Sequence, residues 1–354
     1  MNEKLKKFLI PGSFRIKDAM RFMSTNGQKE IFIVNGNNQL LGSLSDGDIR
    51  KWILKGGGLQ TKAGQICNKK PKVIGEDFAI ETVKSMMLEF KIDAIPQING
   101  KRQVQNVLVW GDVFADKISR PKEKLHIPVV IMAGGKGTRL DPFTKILPKP
   151  LIPVGDKPVI EWIMERFFEY GMNHFYVSIN HKARMIRSYF QEAQIPCRVD
   201  FLQENIPLGT AGSLKMLSVN RAKKFLVTNS DVIINSDYAE LVRFHDEHRY
   251  DLTLVVSCRH YVIPYGVCDI IQGGELKQIR EKPEYDLLVN TGMYVINRNL
   301  FKLIPKNKAF DITDLIAKVK GQGFRVGTFP INEQSWIDVG QWEEYHKALK
   351  MFGA

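Results

Sequence analysis

Glycines and basic side chains of the kind that binds phosphate are concentrated in one stretch, VVIMAGGKGTRLDPFTKILPKPLIPVG, at residues 129–155. Its glycines after the apolar run are Gly134, Gly135 and Gly137. Without a Cβ, such residues let backbone N–H groups approach a ligand closely. Lys136 can add a mobile positive charge, and Arg139 a planar fork of donors. The stretch therefore predicts a phosphate-rich ligand.

The two best-known phosphate-binding patterns do not fit this stretch. A P-loop needs GxxxxGK[ST], and that spacing is absent. A dinucleotide fingerprint needs a third small residue after Gly135 and Gly137, but Leu140 stands there. The turn PKP instead presents Lys149 on a stiff segment, because proline fixes its own φ. A phosphate site of another kind is predicted.

Two histidines at helical spacing, His245 and His248, could belong to a metal site. A zinc site needs further ligands, and no third one stands nearby in the sequence. We therefore expect both to be surface histidines.

The elements that would position the basic residues alternate between strand and helix. Apolar strand candidates such as IPVVIMA are followed by amphipathic helix candidates such as PVIEWIMERFFEYG. This alternation predicts an α/β fold, a Rossmann-like three-layer α/β/α domain with a mostly parallel mixed sheet, over residues 127–354. Ligands of such sheets bind at the carboxyl ends of the strands. A charged, proline-containing linker is predicted at 121–126, after an N-terminal domain at 1–120.

Composition limits the partners. The formal net charge of +13 favours an anionic partner, but no basic run or aromatic-interleaved stripe indicates nucleic acid. The cysteines show no disulfide spacing and are predicted to be free thiols, which is typical of a reducing compartment. No signal peptide or membrane span is predicted, so we expect a cytoplasmic protein that binds no membrane.

The composite pattern AGGxGTRL, PxT and PKPL resembles the signature of sugar-1-phosphate nucleotidyltransferases, and the resemblance extends over residues 126–345. It implies that Lys136 and Arg139 bind the leaving pyrophosphate and that Lys149 holds the reacting phosphates. The segment NIPLGTAGSL resembles the second nucleotide loop of that family. The implied nucleotide-binding residues are Ala133, Gly134, Gly135, Gly137, Thr138, Pro207, Leu208, Gly209, Thr210 and Gly212.

The same resemblance implies a metal and a sugar site. Asp231 in LVTNSD and Asp338 in WIDVG match the carboxylates that hold Mg²⁺, although Ser230 stands where the family has Gly. The implied sugar-phosphate residues are Gly266, Glu281, Lys282, Asn290, Thr291 and Gly292, with Lys282 gripping the phosphate. Taken singly, each Asp could be an ordinary strand-end carboxylate and Lys282 a solvated turn residue.

The N-terminal domain contains an internal repeat, at about residues 8–58 and 61–118, in which two strands around an Asn-Gly turn lead into a helix. It resembles a tandem CBS pair, the small module that binds adenine nucleotides. The resemblance implies that Ser45 contacts phosphate and that Asp48 holds a ribose, with Asp112 equivalent and Val109 in the second hydroxyl position. Alternatively, the two Asp residues only cap their helices.

The expected reaction joins an NTP to a sugar 1-phosphate, giving an NDP-sugar and pyrophosphate. The combination of a CBS pair with PLGTAG resembles guanylyltransferases that make GDP-sugars, and this resemblance implies GTP, glucosamine 1-phosphate and legionaminic acid-type glycan synthesis. Mannose- or heptose-1-phosphate guanylyl transfer and glucose-1-phosphate thymidylyl transfer are alternatives. A nucleotide-sensing protein with an inactive transferase domain is an alternative of another class. A homodimer or higher homo-oligomer is expected.

Overall fold

A computed structural model describes residues 3–90, 92–114, 122–193 and 195–352. The end of the second predicted repeat and Pro121 of the predicted linker lie outside the described residues. The chain divides into two compact units. The N-terminal unit contains Met1–Pro121 and Cys258–Leu287, and the sheet unit contains Lys122–Ser257 and Leu288–Ala354. Segment 258–287 therefore packs with the N-terminal residues, although it lies inside the predicted catalytic domain.

The strands are, in chain order, β1 (Leu9–Pro11), β2 (Glu30–Val34), β3 (Leu40–Ser45), β4 (Ala94–Ile98), β5 (Val104–Val109), β6 (Val129–Met132), β7 (Pro153–Val154), β8 (Lys157–Pro158), β9 (His174–Ile179), β10 (Arg198–Gln203), β11 (Lys224–Asn229), β12 (Val232–Ile234), β13 (Leu252–Val262), β14 (Val267–Ile270), β15 (Leu276–Arg280), β16 (Glu284–Asn297), β17 (Val326–Ile331) and β18 (Trp336–Asp338).

The α-helices are α1 (Glu3–Lys6), α2 (Ile16–Thr25), α3 (Asp46–Leu54), α4 (Ala63–Ile66), α5 (Ile80–Phe90), α6 (Trp110–Val113), α7 (Phe143–Ile146), α8 (Val159–Phe168), α9 (Ala183–Glu192), α10 (Tyr238–Glu247), α11 (Ile312–Gly321) and α12 (Trp342–Phe352). Short 3₁₀ helices include Thr138–Leu140, Lys149–Leu151, Gly212–Leu217 and Arg298–Leu303. None of the helices in the described part of the chain has the length and apolarity that crossing a bilayer requires.

Two hairpins in the N-terminal unit, β2–β3 and β4–β5, have equivalent turns. Asn35 Nδ2 donates to Gln39 Oε1 at 2.8 Å, and Asn99 Nδ2 donates to Gln103 Oε1 at 3.0 Å. In both turns the Asn side-chain oxygen also accepts backbone N–H groups two and four residues later. Such Asx turns close a hairpin without help from the rest of the fold.

The two turns also pair with each other in a reciprocal way. Leu40 N donates to Arg102 O at 2.9 Å, and Val104 N donates to Asn38 O at 3.0 Å. Asn38 and Arg102 occupy the same left-handed position in their turns, with φ of 57° and 59°. The hairpins are therefore structural equivalents related by an approximate twofold axis.

The sheet unit is built on one seven-stranded sheet in the order β10-β9-β6-β11-β16-β13-β17. Strands β10, β9, β6 and β11 run parallel, β16 is antiparallel to β11, and β13 and β17 are parallel. The predicted mostly parallel mixed sheet is therefore confirmed. Because Met132 pairs with Asn229, the loops after β6 and β11 leave the sheet side by side.

Both faces of this sheet are buried. Along β6, Val129 and Ile131 pack into one core, and Val130 packs into the other, as the two-residue period of a strand requires. Helices α8, α10 and α12 cover the first face. Helix α11 and the 3₁₀ helices Gly212–Leu217 and Arg298–Leu303 cover the second. This is the predicted three-layer α/β/α arrangement.

The histidine pair differs from the prediction that both residues lie at the surface. His248 is exposed, but His245 is only 1% exposed. Its ring lies 2.9 Å from Thr253 Oγ1 and 3.2 Å from Asn297 Oδ1, and burial lowers its pKa. The prediction was wrong for His245 because it stands on the apolar face of α10, where the sheet offers polar partners.

Candidate active site

The glycine-rich loop begins at the carboxyl end of β6. Ala133 N donates to both the backbone oxygen and the Oγ of Ser178, each at 3.1 Å, and these bonds fix the start of the loop. Further along, apart from the neighbours of Gly135, no heavy atom of the described residues lies within 4 Å of the position that a Cβ on Gly135 would take. Lys136 is exposed. The middle of the loop is therefore open to a ligand.

Two other glycines of the loop are needed for close packing. Gly137 has a left-handed φ of 71°, and its Cβ would lie 3.0 Å from side-chain carbons of Lys149 and Thr144. A Cβ on Gly134 would lie 3.0 Å from Glu204 Oε1. A larger residue at either position would push the loop away from its supports.

Asp231 and Asp338 are brought together by the short antiparallel pair β12–β18. Val232 pairs with Asp338, and Val339 N donates to the backbone oxygen of Asp231 at 2.8 Å. The residues are only 6% and 8% exposed. Two buried carboxylates so close together require positive charge nearby, because burial of an unpaired charge is costly.

That charge comes from two predicted phosphate-binding residues. Lys149, on the 3₁₀ turn that follows Pro148, forms an ion pair with Asp231 Oδ2. Arg139 Nη2 lies 3.7 Å from the same oxygen, and Arg139 Nη1 lies 3.9 Å from Asp338 Oδ2. Arg139 remains 60% exposed, so its guanidinium can also reach a ligand.

Gly340 lies at the centre of this cluster. A Cβ there would be 2.5 Å from Asp231 Oδ2, 2.5 Å from Lys149 Nζ and 2.8 Å from Asp338 Oδ1. Its backbone N–H also donates to Asp338 Oδ1 at 3.0 Å. The absent side chain leaves the space in which the two carboxylates and the ammonium converge.

The second predicted nucleotide loop packs tightly within the sheet unit. Gly209 has a φ of 75°, and its Cβ would lie 2.7 Å from Asp311 Oδ1. The same oxygen accepts Thr210 N at 2.9 Å and Thr210 Oγ1 at 3.1 Å. A Cβ on Gly212 would lie 2.7 Å from Leu208 Cβ. Pro207 of this loop is exposed, and so is Thr138 of the glycine loop.

The predicted sugar residues on β16 lie in the sheet unit. Asn290 Oδ1 accepts Gly292 N at 3.1 Å, and the Thr291 hydroxyl donates to Val255 O at 2.9 Å. Thr291 is buried, so its hydroxyl holds the strand in place. Gly292 has a φ of 86°, and its Cβ would lie 2.5 Å from Asn229 Nδ2.

The remaining predicted sugar-phosphate residues lie in the N-terminal unit. A Cβ on Gly266 would be 3.1 Å from Glu281 Oε2, so these two predicted residues are neighbours across the β14–β15 hairpin. Lys282 is exposed and has a φ of 43°, which is rare for a residue other than glycine, asparagine or aspartate. The same unit contains an ion pair between Lys17 and Glu284.

The predicted regulatory residues form helix caps. Asp48 Oδ2 accepts Ser45 N at 3.0 Å and Ser45 Oγ at 2.7 Å, while Asp48 N donates to Ser45 Oγ at 3.2 Å. This is a reciprocal capping box at the start of α3. Asp112 accepts Val109 N at 3.1 Å and forms an ion pair with Lys4. These contacts match the capping interpretation and leave ligand binding as a prediction.

Comparison with known families agrees with this arrangement. The family model described as nucleotidyl transferase matches residues 128–352, and a CBS domain model matches residues 6–55. The first match covers more than half of the chain. The chain belongs to the nucleotidyl transferase family. It also carries a CBS domain, which coincides with the first predicted repeat.

Individual relatives share about 30% identity with this nucleotidyl transferase. The UTP–glucose-1-phosphate uridylyltransferase of Synechocystis is 29% identical over 243 residues, 62% of each chain. The mannose-1-phosphate guanylyltransferase catalytic subunit beta of Xenopus tropicalis is 30% identical over 234 residues, 63% of this chain and 64% of its own. The chain therefore spans less than two thirds of the length of these curated relatives.

Solved structures cover a similar share of the nucleotidyl transferase. HddC from Yersinia pseudotuberculosis is 30% identical, with a TM-score of 0.51, over 64% of this chain and 99% of its own. A second structure of HddC, complexed with GMP-PN, is 28% identical with a TM-score of 0.50.

The donor set of the nucleotidyl transferase fits Mg²⁺. Oxygens of Asp231 and Asp338 converge on the face of Gly340, and Mg²⁺ prefers a few carboxylate oxygens together with substrate oxygens. Lys149 already neutralises one carboxylate, so a phosphate-bearing substrate could share both the cation and the ammonium. Asp231 and Asp338 would hold the ion.

Sequence reasoning missed four residues that the fold places against the predicted site. These are Asn229, Glu204, Asp311 and Gly340. Asn229 and Gly340 stand two residues from a predicted metal ligand, so the motifs could have been extended to them. Glu204 directly precedes the second loop, and burial raises the pKa of its carboxyl against the effect of its hydrogen bonds. Asp311 gave no signal, since it lies about a hundred residues after the loop it holds.

Proposed function

We propose that this nucleotidyl transferase joins an NTP to a sugar 1-phosphate, giving an NDP-sugar and pyrophosphate. The observation that carries the proposal is the convergence of Lys149 and Arg139 with Asp231 and Asp338 around Gly340. This cluster combines phosphate-binding cations with metal-binding carboxylates, next to a glycine loop that is open to a ligand. Family membership supports the same reaction class.

In the proposed reaction, a phosphate oxygen of the sugar 1-phosphate attacks the α-phosphorus of the NTP. The new P–O bond forms as the bond from the α-phosphorus to the α–β bridging oxygen breaks, and pyrophosphate leaves with that oxygen. Such transfers depend on positioning and on neutralisation of charge. No nucleophilic side chain is required.

Each basic residue has a distinct proposed role. Lys136 and Arg139 would bind the β- and γ-phosphates and stabilise the negative charge on the leaving pyrophosphate. Lys149 would hold the α-phosphate and Lys282 the sugar phosphate, while Glu281 would accept hydrogen bonds from sugar hydroxyls. Bound between Asp231 and Asp338, Mg²⁺ would withdraw charge from the phosphate oxygens and orient them.

GTP is the proposed nucleotide. The Xenopus relative at 30% identity is a mannose-1-phosphate guanylyltransferase, and HddC binds GMP-PN in its complex. That relative supports mannose 1-phosphate as the proposed sugar substrate, and the resemblance of a CBS pair with PLGTAG to guanylyltransferases supports glucosamine 1-phosphate. The uridylyltransferase of Synechocystis supports UTP as the alternative nucleotide. A role in legionaminic acid-type glycan synthesis, a regulatory nucleotide and a homo-oligomer stay predictions.

Pyrophosphate release from a grid of NTPs and sugar 1-phosphates tests the proposal. We expect turnover with GTP and either mannose 1-phosphate or glucosamine 1-phosphate, and none without Mg²⁺. Turnover only with UTP or dTTP would overturn the guanylyl assignment. Absence of turnover with every pair would favour a nucleotide-sensing protein with an inactive transferase domain.

A further inference from the structure

A buried carboxylate lies between the two predicted nucleotide loops. Glu204 directly follows β10 and is only 4% exposed. Its Oε2 accepts Leu208 N from the second loop at 3.1 Å. Its Oε1 lies 3.0 Å from the position of a Cβ on Gly134 in the glycine loop. One side chain therefore bonds to the second loop and lies next to the glycine loop.

Two hydroxyl groups complete the surroundings of this carboxylate. Ser178 fixes the start of the glycine loop through Ala133 N. Burial raises the pKa of the Glu204 carboxyl, while the Leu208 N–H and the hydroxyls of Ser178 and Ser213 lower it. Ser213 belongs to the 3₁₀ helix that follows the second loop. Both hydroxyls are buried. The groups that influence the Glu204 carboxyl thus come from segments that begin or end the two loops.

The buried position of Glu204 would be energetically unfavourable if its side chain only filled space. Burial of a carboxylate costs free energy that its hydrogen bonds must offset. An apolar side chain would fill the same space without that cost. It could not accept the Leu208 N–H.

The second loop has a separate support on its far side. Asp311 accepts Thr210 N and Thr210 Oγ1, and Ile312 N donates to Thr210 Oγ1 at 2.9 Å. Because Asp311 holds that side of the second loop, the hydrogen bond from Leu208 N to Glu204 sets the distance between the second loop and Gly134.

We propose that Glu204 is a positioning residue that fixes the spacing of the two nucleotide loops and thereby sets the affinity for the NTP. The inference rests on the proposed function, because it assumes that both loops bind the nucleotide. In this proposal Glu204 affects the binding of the NTP and not that of the sugar 1-phosphate. Loss of Glu204 should therefore weaken NTP binding without weakening sugar 1-phosphate binding.

The first test compares Glu204→Ala and Glu204→Gln with wild type in steady-state kinetics. For Glu204→Ala we expect KM for GTP to rise about tenfold, since the hydrogen bond from Leu208 N to the carboxylate is lost, with KM for the sugar 1-phosphate unchanged. Glu204→Gln keeps the volume and one acceptor, so it should restore part of the affinity. Asp200→Asn is the matched control, because it removes a carboxylate from β10 that bonds to His174 and Arg198 instead.

A double-mutant cycle tests the contact with the glycine loop. Gly134→Ala should raise KM for GTP in wild type, since its Cβ would press on the Glu204 carboxylate. In the Glu204→Ala background the same change should have a smaller effect, because that carboxylate is gone. Additive effects in the cycle would contradict the spacing role.

The outcomes separate this proposal from the proposed function. Equal rises in both KM values, or a lower melting temperature with unchanged KM for GTP, would overturn the positioning role while transfer activity stands. If wild type turns over no substrate pair, calorimetric titration with GTP compares wild type with Glu204→Gln. A weaker Kd for the variant would then support the loop role without transfer activity. An unchanged Kd, or no GTP binding by wild type, would overturn it.

Discussion

Replacement of Gly340 by alanine is the sharpest perturbation of the proposed site. The alanine Cβ would lie 2.5 Å from Asp231 Oδ2 and from Lys149 Nζ, and 2.8 Å from Asp338 Oδ1. Ordinary van der Waals contact begins at 3.4 Å, so these three groups must move outward by between 0.6 and 0.9 Å. All three atoms are the tips of side chains, which can rotate without disturbing the backbone.

The displacement predicts a loss of catalysis with little loss of stability. Misplacement of reacting groups by about 1 Å costs about a hundredfold in rate, so we expect kcat of Gly340→Ala to fall by about that factor. Gly340 does not have a left-handed φ, so alanine can adopt its backbone conformation. Apart from the contacts at the cluster, the fold should therefore tolerate the change.

The assay is pyrophosphate release with GTP, the sugar 1-phosphate and Mg²⁺, together with thermal unfolding. Gly321→Ala is the matched control, since a Cβ at the end of α11 would, beyond the backbone of its own helix, meet no heavy atom of the described residues within 4 Å. A Gly340→Ala enzyme with wild-type kcat would refute the convergence of the three groups. A large fall in melting temperature would show that the packing argument is wrong.

Three further predictions concern the carboxylates. Asp231→Asn should lower Mg²⁺-dependent kcat by at least about a hundredfold with the melting temperature preserved, because a metal ligand is lost; unchanged activity would contradict its role. Burial, with the charges of Asp48 and Asp93, raises the pKa of Glu30 to about 7 from 4.5 against a hydrogen bond with Ser43. As far as Glu30 is concerned, the free energy of unfolding should therefore be highest below pH 4.5 and fall by up to about 3 kcal/mol as the pH rises through 7. Glu30→Gln should remove this loss when denaturation at pH 5 is compared with denaturation at pH 8. ATP, which is not the nucleotide proposed for the transferase site, should raise the melting temperature of wild type, and Asp48→Ala should abolish the shift; a shift that persists in the variant would leave Asp48 as a helix cap only.

The layers of the fold could be predicted because they follow local periodicity. In α8 the apolar residues Ile160, Ile163, Met164 and Phe167 recur at helical spacing, and all are buried against the sheet. The helix begins after Pro158 and is followed by Gly171, with a φ of 72°. These signals lie within one short segment, so the sequence alone carries them.

Features that depend on distant segments could not be predicted. The packing of Gly340 against Lys149 and Asp231 needs three parts of the chain to meet, and no periodic pattern reports that meeting. The association of segment 258–287 with the N-terminal residues has the same origin. The prediction for His245 on α10 was wrong because its hydrogen-bond partners lie on two strands, β13 and β16.

Analysis of the products formed from GTP shows directly whether the protein carries out nucleotidyl transfer. Wild-type protein, Mg²⁺ and GTP are incubated with mannose 1-phosphate or glucosamine 1-phosphate, and the products are separated and identified by mass. We predict GDP-sugar and pyrophosphate in equal amounts, and neither product with Asp231→Asn. Hydrolysis of GTP without a nucleotide-sugar, or no product with any NTP and sugar 1-phosphate, would contradict nucleotidyl transfer.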